Sequence, residues 1–237
     1  MALASDGFPA PAGAVLAFLK VRSSCRSPSK ACSRCDTSTD MKRPGSRPNK
    51  PTTIATDHPV HLTTRPPAGR GGDVLYLDFD GVLHHEDVWW TPQRGPHFGQ
   101  KAPQSARLFE HACLLEAALA PYPSLRIVLS TSWAVHYSYG RARGKLPEAL
   151  CRRVIGSTFH SGMDREGFQQ ASRGMQVLAD VRRRMPRRWM AIDDDVADWP
   201  AAHGGLLVAC DGALGLSSPR VLGELQDGLA RIFTGQD

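Results

Sequence analysis

The stretch VLYLDFDGVLHH, residues 74–85, runs five mostly apolar residues into Asp78 and Asp80, one residue apart, and then Gly81. Acids in that position stand at the end of a buried strand. Side chains alternate along a strand, so Asp78 and Asp80 are expected to face one cavity while Phe79 turns into the core. Two more apolar runs end in polar clusters: RIVL before Ser130, Thr131 and Ser132, and WMAI before Asp193, Asp194 and Asp195. Carboxylates converging on one cavity repel one another unless a cation sits between them. Hard oxygen donors suit Mg²⁺, which keeps bound waters and accepts phosphate oxygens as ligands. The chemistry such a set serves is phosphoryl transfer. One carboxylate attacks phosphorus to form an aspartyl-phosphate, and its neighbour protonates the leaving oxygen and later activates water.

The elements that must position these residues are legible from residue 73 onward, where short apolar runs alternate with amphipathic segments, the pattern of a parallel sheet covered by helices. The runs predict strands at 74–79, 126–130, 189–193 and 206–210. Helical spacing of Leu108, Ala112, Leu115 and Leu119 predicts a helix over 105–120, and that of Met175, Leu178, Val181 and Met185 one over 174–185. A last helix is expected to start at Ser218 as N-cap with Pro219 in its first turn, carrying Leu222, Leu225, Leu229 and Ile232 on one face. Ligands of such sheets bind at the carboxyl ends of the strands. Three polar strand ends are therefore expected to meet at one site.

The segment YLDFDGVLH resembles the first motif of the haloacid dehalogenase (HAD) superfamily of phosphohydrolases, and the resemblance continues over residues 74–233. It implies a Rossmann-like α/β fold with helices on both faces of a parallel sheet. It also implies Asp78 as nucleophile and Asp80 as general acid and base, with the Asp80 backbone carbonyl on the metal. IVLSTSW resembles the second motif, whose hydroxyl binds the transferring phosphoryl group; Ser130 and Thr131 both fit, and Trp133 tilts the choice to Thr131. SRGMQVLADV is similar to the helix start that supplies a cation to the phosphoryl oxygens. Arg173 is the candidate there, with Arg165 and Lys145 as competitors. WMAIDDD resembles the fourth motif, so Asp193 and Asp194 would hold Mg²⁺ directly or through water, and VACDGALGLSSPRVLGEL resembles a closing strand, loop and helix.

The implied activity is that of a Mg²⁺-dependent phosphatase. Only 20 positions separate Arg173 from Asp193, and 84–104 is short as well, so no large cap domain is expected, although 134–172 can form a modest helical cover. An open site admits a bulky phosphorylated substrate: a nucleic acid end, a nucleotide or a phosphoprotein. Two rivals remain: a non-catalytic nucleic-acid-binding module on the same fold, and a phosphotransferase that passes the phosphoryl group to an acceptor other than water.

Charge divides the 237 residues unevenly. Residues 1–70 hold 11 Lys and Arg against 4 Asp and no Glu, together with half of the 18 prolines, whereas 71–237 hold 18 basic and 19 acidic residues. The first part is expected to be a disordered basic extension and the second a single domain. The apolar run AVLAFL, residues 14–19, is far short of the ~20 residues that span a bilayer, and Asp6 ahead of it is unlike a secretory signal. With six cysteines that lack framework spacing, the expected location is the cytoplasm.

Structural readings compete at several of these positions. Asp193 to Asp195 can cap a following helix, and Ser130 to Ser132 can form an ordinary turn. RRRMPRR, 182–188, reads as an exposed helix end. His84, His85, Glu86 and Asp87 read as a loop at the site entrance or facing solvent, and Trp89 and Trp90 either stack on a base or pack that loop. Cys25, Cys32 and Cys35 with His58 or His61 lack the regular spacing of a structural zinc site.

Overall fold

The computed structural model describes residues 67–91 and 93–234. Its elements run β1 (Asp73–Leu77), a hairpin of β2 (Val88–Thr91) and β3 (Gly95–Phe98), α1 (Ala112–Leu119), β4 (Arg126–Leu129), a π-helical turn (Ala134–Ser138), α2 (Tyr139–Arg143), α3 (Glu148–Arg153), β5 (Val154–Ser157), α4 (Arg165–Gln170), α5 (Arg173–Arg184), β6 (Arg188–Asp193), β7 (Leu207–Ala209) and α6 (Pro219–Phe233). Among the described residues five strands form a parallel sheet in the order β5-β4-β1-β6-β7, and β2 and β3 form a separate two-stranded sheet.

Alternation along β1 builds a core on each face of the sheet. Leu75 and Leu77 pack with Ile127, Leu129 and Ile192 against Leu115 and Leu119 of α1 and Leu225 and Leu229 of α6. Val74 and Tyr76 point the other way, onto Val177 and Val181 of α5 with Val128 and Ala191. The fold is the α/β, Rossmann-like arrangement with helices on both faces. Among the described residues the sheet carries no large cap: its additions are the β2–β3 hairpin and the short helices between β4 and α5.

Several boundaries differ from expectation. Ladder pairing in β1 ends at Leu77, so Asp78 and Asp80 lie beyond the strand. β5 is a fifth strand inside the stretch expected to be only helical cover; its VIGS is too short and too interrupted by glycine to announce itself. α1 begins at Ala112 rather than 105, because the preceding segment turns through Phe109 at φ 63°. α5 keeps its expected period, but Met175 and Met185 at its ends are 44% and 57% exposed. Ser218 does precede α6, with Pro219 in the first turn, yet its side chain makes no capping hydrogen bond.

The basic run 182–188 is not simply an exposed helix end. Arg184 is buried and its Nε donates to Asp180 Oδ2 at 2.8 Å, a carboxylate that also accepts from Tyr76 Oη at 2.9 Å. Arg187 and Arg188 converge on Asp73, at 3.1 and 2.7 Å. Packing already involves Ala68, whose carbonyl accepts from Arg184 Nη1, so the ordered contacts start ahead of residue 71. The readings of Cys25, Cys32, Cys35, His58 and His61, and most of the 1–70 extension, lie outside the described residues.

Candidate active site

Strand register assembles the site. Leu77 pairs with Leu129 on one side and Ile192 on the other. The next residues, Asp78, Ser130 and Asp193, therefore emerge side by side at the carboxyl edge, with Asp78 N donating to the Ile192 carbonyl at 3.2 Å and Ser130 N to the Leu77 carbonyl at 2.9 Å. Asp78 and Asp193 are buried, and with Asp194 they bring three carboxylate oxygens within 4.8 Å of one another. Asp194 is held in place by the loop after β1: Gly81 has φ 69°, and a Cβ there would lie 2.5 Å from Asp194 Cγ. Only glycine combines that turn with that approach.

The guanidinium of Arg173 enters this cluster from the first residue of α5. Its Nη2 is 3.4 Å from Asp78 Oδ2 and its Nε 3.3 Å from Asp193 Oδ2, while Nη1 donates to the Ser130 carbonyl and, at 3.2 Å, to Gln176 Oε1. The Nε–Asp193 contact is an ion pair without hydrogen-bond alignment, which leaves Asp193 Oδ2 buried and without a hydrogen bond among the described residues. Burial raises the Asp193 carboxyl well above the usual carboxylate range, and repulsion from Asp78 adds to this. Burial likewise raises Asp78, with Arg173 opposing and Asp80 reinforcing the shift. One guanidinium thus faces three clustered carboxylates. The hard oxygen donors, their convergence and the orphaned Asp193 oxygen fit a Mg²⁺ ion.

Asp80 occupies a different environment. Past Leu77 the chain no longer alternates, because it folds back through Phe79, whose carbonyl accepts from Val82 and Leu83. The Asp80 carboxylate turns to Trp133 Nε1, at 2.9 and 3.0 Å, and to His84 Nε2 at 3.1 Å. His84 Nδ1 accepts the Phe109 backbone N–H at 3.3 Å, so the ring proton sits on Nε2 and is donated to Asp80. Asp80 is part-exposed, whereas its two donors are buried among Phe79 and Phe109. Of the two expectations for His84 and His85, that they line the entrance or face solvent, the second is overturned: they are 0% and 6% exposed. A histidine beside aromatic rings carries no sequence signal for that role, because its partners are 4, 25 and 49 residues away.

The remaining candidates separate clearly. Thr131 is buried, its hydroxyl hydrogen-bonds Asp78 and its Oγ1 also accepts Trp133 N at 3.3 Å. Ser130 is buried too, with its Oγ lacking a hydrogen-bond partner among the described residues. Arg165 donates to the Val135 carbonyl at 2.7 Å and Lys145 lies over the Tyr137 ring, so neither competitor joins the acids as Arg173 does. No helix starts at Asp195; Asp193 Oδ1 accepts Asp195 N at 3.0 Å in a tight turn instead. Glu86, on the loop entering β2, approaches Gly212, where an added Cβ would lie 2.4 Å from Glu86 Oε2 and 3.1 Å from Asp194 Oδ2. Trp89 and Trp90 are 51% and 40% exposed on the hairpin that follows.

The family model described as the HAD domain in Swiss Army Knife RNA repair proteins matches residues 74–221, from β1 into the first turn of α6. No curated protein and no solved structure matches the chain.

Proposed function

The chain belongs to the family of HAD domains found in Swiss Army Knife RNA repair proteins, and we propose that it is a Mg²⁺-dependent phosphatase acting on a bulky RNA end through an aspartyl-phosphate on Asp78. The observation that carries this reading is the buried convergence of Asp78, Asp193 and Asp194 around the Arg173 guanidinium at the carboxyl edge of β1 and β6.

Asp78, Asp193 and Asp194, with the Asp80 backbone carbonyl, would hold Mg²⁺, which when bound supplies positive charge against the phosphoryl oxygens. The Asp78 carboxylate attacks phosphorus, and the bond from phosphorus to the leaving oxygen breaks. Asp80 gives its proton to that oxygen. Arg173 and the Thr131 hydroxyl orient the phosphoryl group, with Ser130 as a second hydroxyl at the same strand end. Water then attacks the phosphorus of the acyl-phosphate, Asp80 takes its proton, and phosphate leaves with Asp78 restored. The two N–H donors on Asp80 keep its carboxylate aimed away from the three clustered acids, so proton transfer and nucleophilic attack are assigned to separate groups. The absence of a large cap among the described residues and the exposed Trp89 and Trp90 support a substrate larger than a sugar phosphate.

The test is a rapid-quench or beryllium fluoride trap of the enzyme with Mg²⁺ and a 3′- or 5′-phosphorylated RNA, followed by peptide mass spectrometry. A label on Asp78 is the expected result. A label on another residue, or phosphate release with none, removes the covalent mechanism. Transfer to added alcohols in preference to water would make the protein a phosphotransferase.

A further inference from the structure

A cavity of about 670 Å³ opens beside the edge strand β5, within the size range of small-molecule sites. None of the clustered acids lines it, but one of its walls follows directly in the chain on a residue that touches Asp80. Trp133, which donates to Asp80, is followed at once by the π-helical turn, and residues 134–140 form one wall. The segment that reaches Asp80 through Trp133 therefore runs on into a wall of this cavity.

The lining is basic and aromatic. Arg165, Arg183 and Arg184 contribute to it, and no Asp or Glu is among the described residues that do. Arg183 and Arg184 share the single carboxylate of Asp180, which leaves one positive charge over, and Arg165 donates to the neutral Val135 carbonyl. His136 and His160 also line it; burial lowers the pKa of each, with Arg165 and Arg183 adding to the effect, so both present neutral rings at pH 7. Tyr137 is covered by Arg141 and Lys145, at 5.4 and 5.8 Å from its centroid. Tyr139, 36% exposed in the same wall, offers its ring instead, and Phe159, which follows β5 and packs on Phe168, also lines the cavity. Guanidinium groups beside an open aromatic ring are the chemistry that holds single-stranded nucleic acid, phosphates on the cations and a base on the ring.

We propose that this cavity is a strand-binding subsite that takes the nucleotides attached to the leaving oxygen of the reacting phosphate, with Tyr139 as a base-stacking residue and Arg183 as a phosphate contact. The inference rests on the RNA-end reading above and assigns it a direction: the strand runs from Asp80 across β4 toward β5.

The test uses the full chain, Tyr139→Ala and Arg183→Gln, and a fluorescent single-stranded RNA without a terminal phosphate, followed by anisotropy. Binding by Tyr139→Ala is expected to weaken by about 5- to 150-fold, the range of one lost base stack. Arg183→Gln is expected to lower the slope of log affinity against log salt by about 0.7, one phosphate contact on a single strand. Arg184 still holds Asp180 in that variant, and thermal unfolding of both variants should match wild type. Turnover of a small aryl phosphate should be unchanged in both while kcat/KM for phosphorylated RNA falls. Wild-type RNA affinity and salt slope in both variants would overturn the subsite. If RNA binding falls as expected but no phosphatase activity is found in any form, the subsite stands and the phosphatase reading fails.

Discussion

What each carboxylate touches separates the proposed roles of Asp78 and Asp80. Asp78 lies beside the Arg173 guanidinium, while Asp80 accepts from two N–H donors and reaches solvent. Asp78→Asn is expected to abolish turnover with an unchanged unfolding temperature, since an amide of the same shape does not attack phosphorus. Asp80→Asn should slow turnover by about 10²–10⁴-fold, and more for poor leaving groups than for aryl phosphates, because the proton donor is lost. Equal losses on both substrate types would exclude Asp80 as the acid. Asp194→Ala should raise the Mg²⁺ concentration needed for half activity far more than it lowers the unfolding temperature, because removing one of three clustered carboxylates also relieves repulsion. A Mg²⁺ titration that superimposes on wild type would place Asp194 outside the metal site. The acid types and their spacing are visible in LDFDG and IDDD, but the partners of Asp80 are not, since Trp133 is 53 residues away and His84 is indistinguishable in sequence from any loop histidine.

The loop after β1 and the paired ends of β1 and β6 are the elements on which the site depends. Gly81→Ala would force a Cβ into Asp194 at positive φ, a strain of about 1–3 kcal/mol. The expected outcome is a lower unfolding temperature together with a weaker Mg²⁺ response, and a normal Mg²⁺ response would show that the loop does not hold Asp194. At the opposite edge of the sheet, hydrogen bonding to Arg188, with Arg187 assisting against the cost of burial, lowers the pKa of Asp73 below the usual carboxylate value. A lowered folded pKa means stability that is complete above the unfolded Asp pKa, about 3.9, and is lost as pH falls through the folded value. Asp73→Asn should therefore unfold at lower temperature than wild type at pH 7, with the gap closing as pH drops below ~4. A gap independent of pH would assign the loss to packing rather than to the charge. The strands that carry the acids are long apolar runs and could be placed from sequence. β5 and the β2–β3 hairpin could not, because VIGS and GPHF contain glycine or proline and too few residues for any period to show.

The domain is proposed to be independent of most of the basic extension, with its edge set by contacts rather than by composition. Ala68 accepts from the buried Arg184, and Gly69 lies so close to Ile155 that a Cβ would overlap it. A chain begun at residue 67 should match the full chain in thermal unfolding, whereas one begun at 71 should unfold at lower temperature for want of those contacts. Equal midpoints for both would return the edge to 71, and a lower midpoint for the 67 form would tie the preceding residues to the fold. No helix among the described residues is long and apolar enough to cross a membrane. The sequence alone determined the α/β class, the order of the acid-bearing strands and the residue types at their ends, because hydrophobic periodicity and terminal polar residues are local properties of the chain. Only the tertiary structure decided that Asp78 and Asp193 lie side by side, that Asp80 turns from them to His84 and Trp133, and that arginines and tyrosines from three separate segments line one cavity. Those arrangements follow from strand register and from side chains meeting across many intervening residues, which no local pattern encodes.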